Sequence, residues 1–102
     1  MVKLRPFDIV WSKRSLRQLK DIYLYIEKES PGGAKKVVKA ISSRVQSLGT
    51  NAMIYEADQC KRNNDGSYRA THVYKFRIVY RITAKHVMIL KIMHTARKPR
   101  IY

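Results

Sequence analysis

The 102-residue chain contains a single cysteine, few acidic side chains and no long apolar run, and each of these scarcities argues against a class of protein or site. Cys60 is its only cysteine, so no disulfide can form within the chain, and a reducing compartment fits best. No stretch approaches the roughly 20 apolar residues that cross a bilayer, and the N-terminus lacks the apolar core of a signal peptide. We therefore expect a cytoplasmic protein with no membrane partner.

Acidic residues are scarce, above all in the second half of the chain. The sequence has 22 Lys and Arg against 7 Asp and Glu, which gives a net charge of +15. Between Gln59 and Tyr102, eleven Lys or Arg accompany a single acidic residue, Asp65. Self-repulsion at this charge costs stability, so a polyanion or an acidic protein is the expected kind of partner.

The same scarcity argues against several kinds of active site. The second half contains only Glu56, Asp58 and Asp65, which do not predict a pair of catalytic carboxylates. The histidines and the cysteine show no metal-ligand spacing. Phosphate-binding glycine loops and nucleophile elbows are missing as well, so the sequence predicts neither a metal nor a cofactor.

Apolar periodicity predicts a first strand at residues 6–11 and two helices after it. The first helix follows Ser12 as its N-cap and runs to about Glu29. A four-residue break at residues 30–33, rich in Pro and Gly, separates it from the second helix. That helix begins near Ala34 and ends with Gly49 in the C′ position, and the two helices should form an antiparallel hairpin.

Beyond Gly49 the apolar period changes to two, which predicts strands at residues 54–60, 68–74, 76–83 and 87–94. Residues 63–66 and 83–86 have the composition of turns. The last strand is almost entirely apolar, which predicts a central strand covered on both faces. The whole chain, 1–102, is therefore expected to be one α+β domain. In it, an N-terminal strand and an αα-hairpin pack on a mostly antiparallel, twisted sheet of four to five strands.

One predicted strand separates apolar from basic side chains. One face carries the apolar residues Phe76, Ile78, Tyr80 and Ile82. The other face carries Lys75, Arg77 and Arg81. Side chains two apart on a strand are separated by about 6.6 Å, comparable to neighbouring phosphates, so this face is expected to bind RNA, DNA or a protein that handles them.

Four motifs follow one another at a recognisable spacing: Ile9-Val10-Trp11-Ser12, Asn64-Asp65-Gly66-Ser67-Tyr68-Arg69, Phe76-Arg77-Ile78-Val79-Tyr80-Arg81-Ile82 and His94-Thr95-Ala96-Arg97-Lys98-Pro99. Together they resemble the RelE/ParE superfamily of toxins from type II toxin–antitoxin modules, over nearly the whole chain. The resemblance implies a toxin that arrests growth and a small acidic antitoxin that neutralises it.

The superfamily contains two mechanisms, and the sequence is compatible with both. RelE-like members enter the ribosome and cleave mRNA, which is our leading interpretation because the polar set at the C-terminal end fits it. ParE-like members inhibit DNA gyrase without catalysis, and the Trp11-Ser12 opening and long hairpin resemble these. A third interpretation is a non-toxic basic module that binds nucleic acid.

The RelE-like interpretation implies a basic, metal-independent catalytic set: Arg77, Arg81, His94, Arg97 and Tyr102. Arg77 matches the arginine that contacts the scissile phosphate, His94 is a candidate acid or base, and Tyr102 matches a tyrosine used for stacking or proton transfer. The predicted nucleic-acid-binding residues are Lys61, Arg62, Arg69 and Lys75. Each of these residues has an ordinary alternative, as a solvated charge, an antitoxin contact or a packed histidine.

Overall fold

The computed structural model describes residues 6–102, which fold into two helices and four strands. In chain order these are β1 (Asp8–Trp11), α1 (Lys13–Glu27), α2 (Pro31–Asn51), β2 (Tyr68–Val73), β3 (Phe76–Ile82) and β4 (His86–His94). The strands form one sheet in the order β1-β4-β3-β2, in which only the β1–β4 pairing is parallel. The helices pack on one face of this sheet, which confirms the expected α+β architecture.

Helix α1 begins where the sequence predicts. The Ser12 hydroxyl oxygen accepts a hydrogen bond from the Ser15 backbone N–H at 3.0 Å, which satisfies one of the free donors of the first turn. One face of α1, including Leu19, Ile22 and Ile26, packs against the core. Ser12 therefore connects the end of β1 directly to the helical layer.

Helix α2 is longer at both ends than predicted. It begins at Pro31, not Ala34, because Ser30 caps the Gly33 N–H at 3.1 Å and proline suits the first helical position. The connection between the helices is therefore three residues, 28–30, and the prediction of a four-residue break was wrong. The Ser30 cap and Pro31 at the first helical position offset part of the helix cost of two glycines, about 1 kcal/mol each in a helix interior.

Gly49 does not end α2, so its prediction as the C′ residue was wrong. The helix continues to Asn51 and is followed by a single 3-10 turn, Ala52–Ile54. Gly49 is buried, its carbonyl accepts a hydrogen bond from the Phe7 N–H at 2.8 Å, and a Cβ here would lie 3.2 Å from the Phe7 carbonyl oxygen. The glycine thus allows the chain before β1 to approach the helix closely.

The predicted strand at residues 54–60 was also wrong. This segment makes one isolated bridge, between Ala57 and Arg69, and the Asp58 N–H donates to the Tyr68 carbonyl at 2.8 Å. It lies irregularly along β2 because its side chains alternate too weakly to fix a strand. The turn at residues 63–66 is confirmed, with positive φ at Asn63 (51°) and Gly66 (94°).

The core lies between α2 and the inner face of the sheet. Ile41, Val45 and Leu48 of α2 are buried against Ile78 and Tyr80 of β3. The Tyr80 hydroxyl donates to the Ala52 carbonyl at 2.7 Å, and burial raises the pKa of Tyr80 to about 12. This buried hydrogen bond therefore links β3 to the C-terminal end of α2.

Strand β4 is central, as predicted, but it is not covered equally on both faces. Val87, Ile89 and Ile92 are buried on the helix side, whereas Met88 and Met93 are partly exposed on the other side. The spacing of the buried residues changes because β4 contains a bulge.

The bulge is visible in the register between β3 and β4. Val79 pairs with Lys91 and Tyr80 pairs with Ile89, so Leu90 is an extra residue. Helix α1 anchors it: the Ser12 hydroxyl donates to the Leu90 carbonyl at 3.1 Å, and the Gln18 side-chain oxygen accepts from the Ile92 N–H at 2.7 Å.

Neither described helix is long and apolar enough to cross a membrane.

We expect Tyr80→Phe to lower the free energy of unfolding by about 1–3 kcal/mol, because it leaves the buried Ala52 carbonyl without its donor. Urea unfolding monitored by circular dichroism measures this. Tyr74→Phe, at a side chain that is 60% exposed, is the matched control and should stay near wild type. Equal effects of the two changes would contradict the role given to the Tyr80 hydroxyl.

Candidate partner-binding face

The basic side chains of β3 lie on the face of the sheet away from the helices, which we call the outer face. Phe76, Ile78 and Tyr80 point into the core, and Arg77 and Arg81 point outward, which confirms the predicted separation of the two faces. Val79 lies between the two arginines and is completely buried. Part of the outer face is therefore covered by the chain itself.

The bulge in β4 adds a third cation to this face. Counted by strict alternation, Lys91 would share a face with Val87 and Ile89, toward the helices. The extra residue at Leu90 reverses the alternation, so Lys91 pairs with Val79 on the outer face. Burial lowers the pKa of Lys91, and the positive charge of Arg14 acts in the same direction.

Asp58 is the centre of the outer face, and it is only 2% exposed. Its carboxylate forms an ion pair with Arg77, whose side chain is 16% exposed, and this is the single ion pair within residues 6–102. The same carboxylate accepts hydrogen bonds from the Tyr102 hydroxyl at 2.6 Å and the Cys60 N–H at 3.0 Å. A buried carboxylate with three donors satisfies the condition under which a buried charge is tolerated.

Tyr102 is held by its backbone as well as by its hydroxyl. Its N–H donates to the Cys60 carbonyl at 2.8 Å, and its carbonyl oxygen accepts from the Arg62 N–H at 2.6 Å. Burial and the bond to Asp58 raise the pKa of Tyr102 well above its ordinary value. The hydroxyl is therefore a poor proton donor in this arrangement.

Two tyrosine rings hold three cations on the outer face. The Lys91 ammonium lies 4.0 Å from the Tyr102 ring centroid, and Lys61 lies 4.8 Å from the Tyr68 ring. The Arg81 guanidinium lies 4.9 Å from the same Tyr68 ring, and the two rings meet edge to face at 6.1 Å. We call Lys61, Tyr68, Arg81, Lys91 and Tyr102 the outer-face cluster. Cation–π contacts keep its charges in place near the surface.

Two of the predicted catalytic residues lie away from this cluster. His94 pairs with Phe76 and packs on its ring at 5.4 Å, so it belongs to the helix side of the sheet. Its Nδ1 accepts a hydrogen bond from the Ala96 N–H at 3.0 Å. Arg97 is exposed in the turn after β4. Arg77, Arg81 and Tyr102 are the members of the predicted set that the fold brings together.

The predicted nucleic-acid-binding residues are likewise divided. Lys61 belongs to the outer-face cluster, whereas the Arg69 guanidinium is used internally, donating to the Met53, Gly66 and Tyr55 carbonyls. Arg62 and Lys75 are exposed, the latter in the turn between β2 and β3. The positions of these four residues do not test whether they bind nucleic acid, so that role stays a prediction.

Sequence reasoning missed three members of the site: Asp58, Tyr68 and Lys91. The scarcity of acids could have drawn attention to Asp58, because each of the three carboxylates in the basic half of the chain has many cations to attract it. The role of Lys91 depends on a bulge, which apolar alternation does not reveal. Within residues 6–102 no group of three or more His, Cys, Asp or Glu could hold a metal ion.

The family model that matches residues 9–99 is that of the ParE toxin of the type II toxin–antitoxin system parDE. The chain belongs to the ParE toxin family. All members of the outer-face cluster except Tyr102 lie inside the matched range. None of the curated protein sequences matches this ParE-family chain.

Three solved structures share the fold of this ParE-family chain. The chromosomal ParDE system from P. aeruginosa superposes with a TM-score of 0.72 at 20% identity, covering 89% of this chain and 98% of that one. The RelBE2 toxin–antitoxin complex from Mycobacterium tuberculosis superposes with a TM-score of 0.62 at 17% identity, covering 87% of this chain and 98% of that one. The YoeB dimer from Staphylococcus aureus superposes with a TM-score of 0.56 at 21% identity, covering 89% of this chain and 98% of that one. At these identities the likeness concerns the fold.

We expect Asp58→Asn to lower the free energy of unfolding by about 2–4 kcal/mol, because it leaves the partly buried Arg77 charge without its anion. Glu56→Gln, two residues away and exposed, is the control and should change stability by less than about 0.5 kcal/mol. Urea unfolding measures both. An Asp58→Asn protein as stable as wild type would show that the ion pair is dispensable.

A second expectation concerns alkaline pH. A tyrosine whose folded pKa is raised stabilises the fold below its unfolded pKa of about 10 and loses this contribution as pH rises above it. Tyr102→Phe should therefore weaken the fold at pH 7, by about 1 kcal/mol, yet flatten the loss of stability above about pH 10. Urea midpoints across this range measure the slope, and Tyr25→Phe, at an exposed residue of α1, is the control. An unchanged slope in Tyr102→Phe would contradict the raised pKa.

Proposed function

We propose that this ParE-family toxin arrests growth by binding DNA gyrase through the outer-face cluster, without cleaving RNA. One observation carries the proposal. Among residues 6–102, the side chains that would transfer protons during RNA cleavage are not free to act beside the cations that would bind the phosphate. One of them is engaged in a hydrogen bond, and the other is separated from those cations. The Tyr102 hydroxyl is bonded to Asp58, and His94 lies on the opposite face of the sheet from Arg77.

The outer-face cluster is suited to a protein target with an acidic surface. Tyr and Arg are the residue types that dominate binding energy in protein interfaces. Because Lys61, Arg81 and Lys91 already rest on tyrosine rings, they lose less side-chain freedom on binding than free surface cations would. Their charges also steer an acidic partner toward this face.

An acidic antitoxin is the second partner in this proposal. The RelBE2 neighbour is a toxin–antitoxin complex, which supports an antitoxin for a chain of the same fold. Carboxylates of the antitoxin against Arg81 and Lys91 would cover the same cluster. Binding of the antitoxin and of the target would then be mutually exclusive.

Ribosome-dependent mRNA cleavage remains the second candidate, because Arg77, Arg81 and Tyr102 share one face as the RelE-like interpretation requires. In that mechanism Tyr102 would have to leave Asp58 before acting on a nucleotide. RNA cleavage therefore requires Tyr102 and His94 to take part in proton transfer, whereas binding to gyrase does not.

Purified protein should inhibit supercoiling by gyrase and trap cleaved plasmid, while leaving message intact in a parallel assay with ribosomes. Replacing the three cluster cations, as Lys61→Gln, Arg81→Gln and Lys91→Gln together, should weaken inhibition by roughly tenfold or more, which corresponds to about 1.4 kcal/mol. His94→Ala should inhibit as well as wild type. Growth arrest on controlled expression should follow the same order among the variants.

The control triple is Lys85→Gln, Lys98→Gln and Arg100→Gln, which removes equal charge from exposed residues outside the cluster. Relaxation of the plasmid by a type I topoisomerase measures the effect of DNA coating alone. The cluster triple should lose gyrase inhibition without changing that relaxation. Cuts in ribosome-bound message that disappear in His94→Ala or Tyr102→Phe would replace this proposal with RNA cleavage. Harmless expression would favour the non-toxic module instead.

A further inference from the structure

The side of the helical hairpin turned away from the core carries a row of cations. Lys13, Arg17 and Lys20 of α1, with Lys28 as its C-cap, recur at intervals that keep them on one side of the helix, opposite the packed residues. On α2, Lys36 and Lys39 lie opposite the buried residues in the same way. All six are exposed, and together we call them the hairpin stripe.

These charges are not neutralised within the described chain. The one ion pair among residues 6–102 is between Arg77 and Asp58, on the far side of the sheet. The acids nearest the stripe are Asp21, Glu27 and Glu29, and none of them approaches a stripe cation within ion-pair distance. The stripe therefore keeps six unpaired positive charges along one surface, at a cost in self-repulsion that an external anion would remove.

We propose that the hairpin stripe binds the phosphate backbone of double-stranded DNA. The row from Lys13 to Lys28 covers fifteen helical steps, about 22 Å, so several cations can contact phosphates at once. Contacts of this kind position a protein without reading sequence.

The composition of the stripe favours duplex DNA over a protein partner and over single-stranded nucleic acid. Protein interfaces use apolar and aromatic anchors and are depleted in lysine, whereas five of the six stripe residues are lysine. The exposed apolar or aromatic side chains of α1 are Leu16, Leu24 and Tyr25. Proteins that bind single strands stack bases on aromatic rings. The stripe contains no aromatic residue.

The stripe and the outer-face cluster lie on opposite sides of the sheet, so each can be occupied without the other. This inference goes beyond the proposed function and does not depend on it. If both hold, the toxin would approach its target along the DNA on which that target works.

Binding to a labelled duplex of mixed sequence, followed by fluorescence anisotropy between about 0.05 and 0.3 M salt, tests the proposal without gyrase. Six phosphate contacts correspond to a slope of log K against log salt of about −5. Lys13→Gln, Arg17→Gln and Lys20→Gln together should reduce the slope to about −3 and weaken binding at 0.1 M salt by roughly tenfold or more. The Lys85, Lys98 and Arg100 triple described above removes the same charge and should keep a slope near wild type.

Equal losses in the two triples would overturn the proposal, because binding would then follow net charge alone. A loss confined to the Lys61, Arg81 and Lys91 triple would also overturn it, by moving the DNA to the outer face. Absence of duplex binding by the wild-type protein would overturn it directly. Thermal unfolding of each variant shows whether it is folded, and the second hairpin triple, Lys28→Gln, Lys36→Gln and Lys39→Gln, should reproduce the first.

Discussion

Asp58 places a negative charge in the interior of a chain whose net charge is +15, and three parts of the molecule converge on it. Arg77 reaches it from β3, the Cys60 N–H from its own loop, and the Tyr102 hydroxyl from the C-terminal segment. Burying a carboxylate is unfavourable unless donors replace the lost water. Here the donors come from a strand, a loop and the C-terminal segment, so the charge organises the outer face.

The inner half of the molecule depends on apolar packing, and it determines the outer half through β4. Ser12 and Gln18 of the helical layer form hydrogen bonds with the backbone of β4 at the bulge residue Leu90 and at Ile92. The bulge keeps Ile89 and Ile92 in the core and turns Lys91 outward. The position of Lys91 on the outer face is thus set by hydrogen bonds made on the other side of the sheet.

Much of the fold could be predicted from the sequence, because α1 and strands β2 to β4 have strong apolar periods and clear caps or turns. The predictions failed where one local signal competed with another. Ser30 and Pro31 overrode two glycines, Gly49 served close packing, and residues 54–60 lacked a period strong enough to form a strand. Four residues of the outer face could be named from the sequence, through the basic strand and the family resemblance: Lys61, Arg77, Arg81 and Tyr102. Asp58 and Lys91 depend on long-range contacts and on a register shift, which no short stretch of sequence encodes.

The parallel pairing of β1 with β4 has a consequence for how the chain is made. Ser12, at the end of β1, bonds to Leu90, 78 positions later. The sheet therefore cannot close while β4 is still inside the ribosome, and long-range pairing of this kind is slow to form. During synthesis the first strand and the helices emerge before their partner, so the sheet of the nascent chain stays open until β4 has left the ribosome.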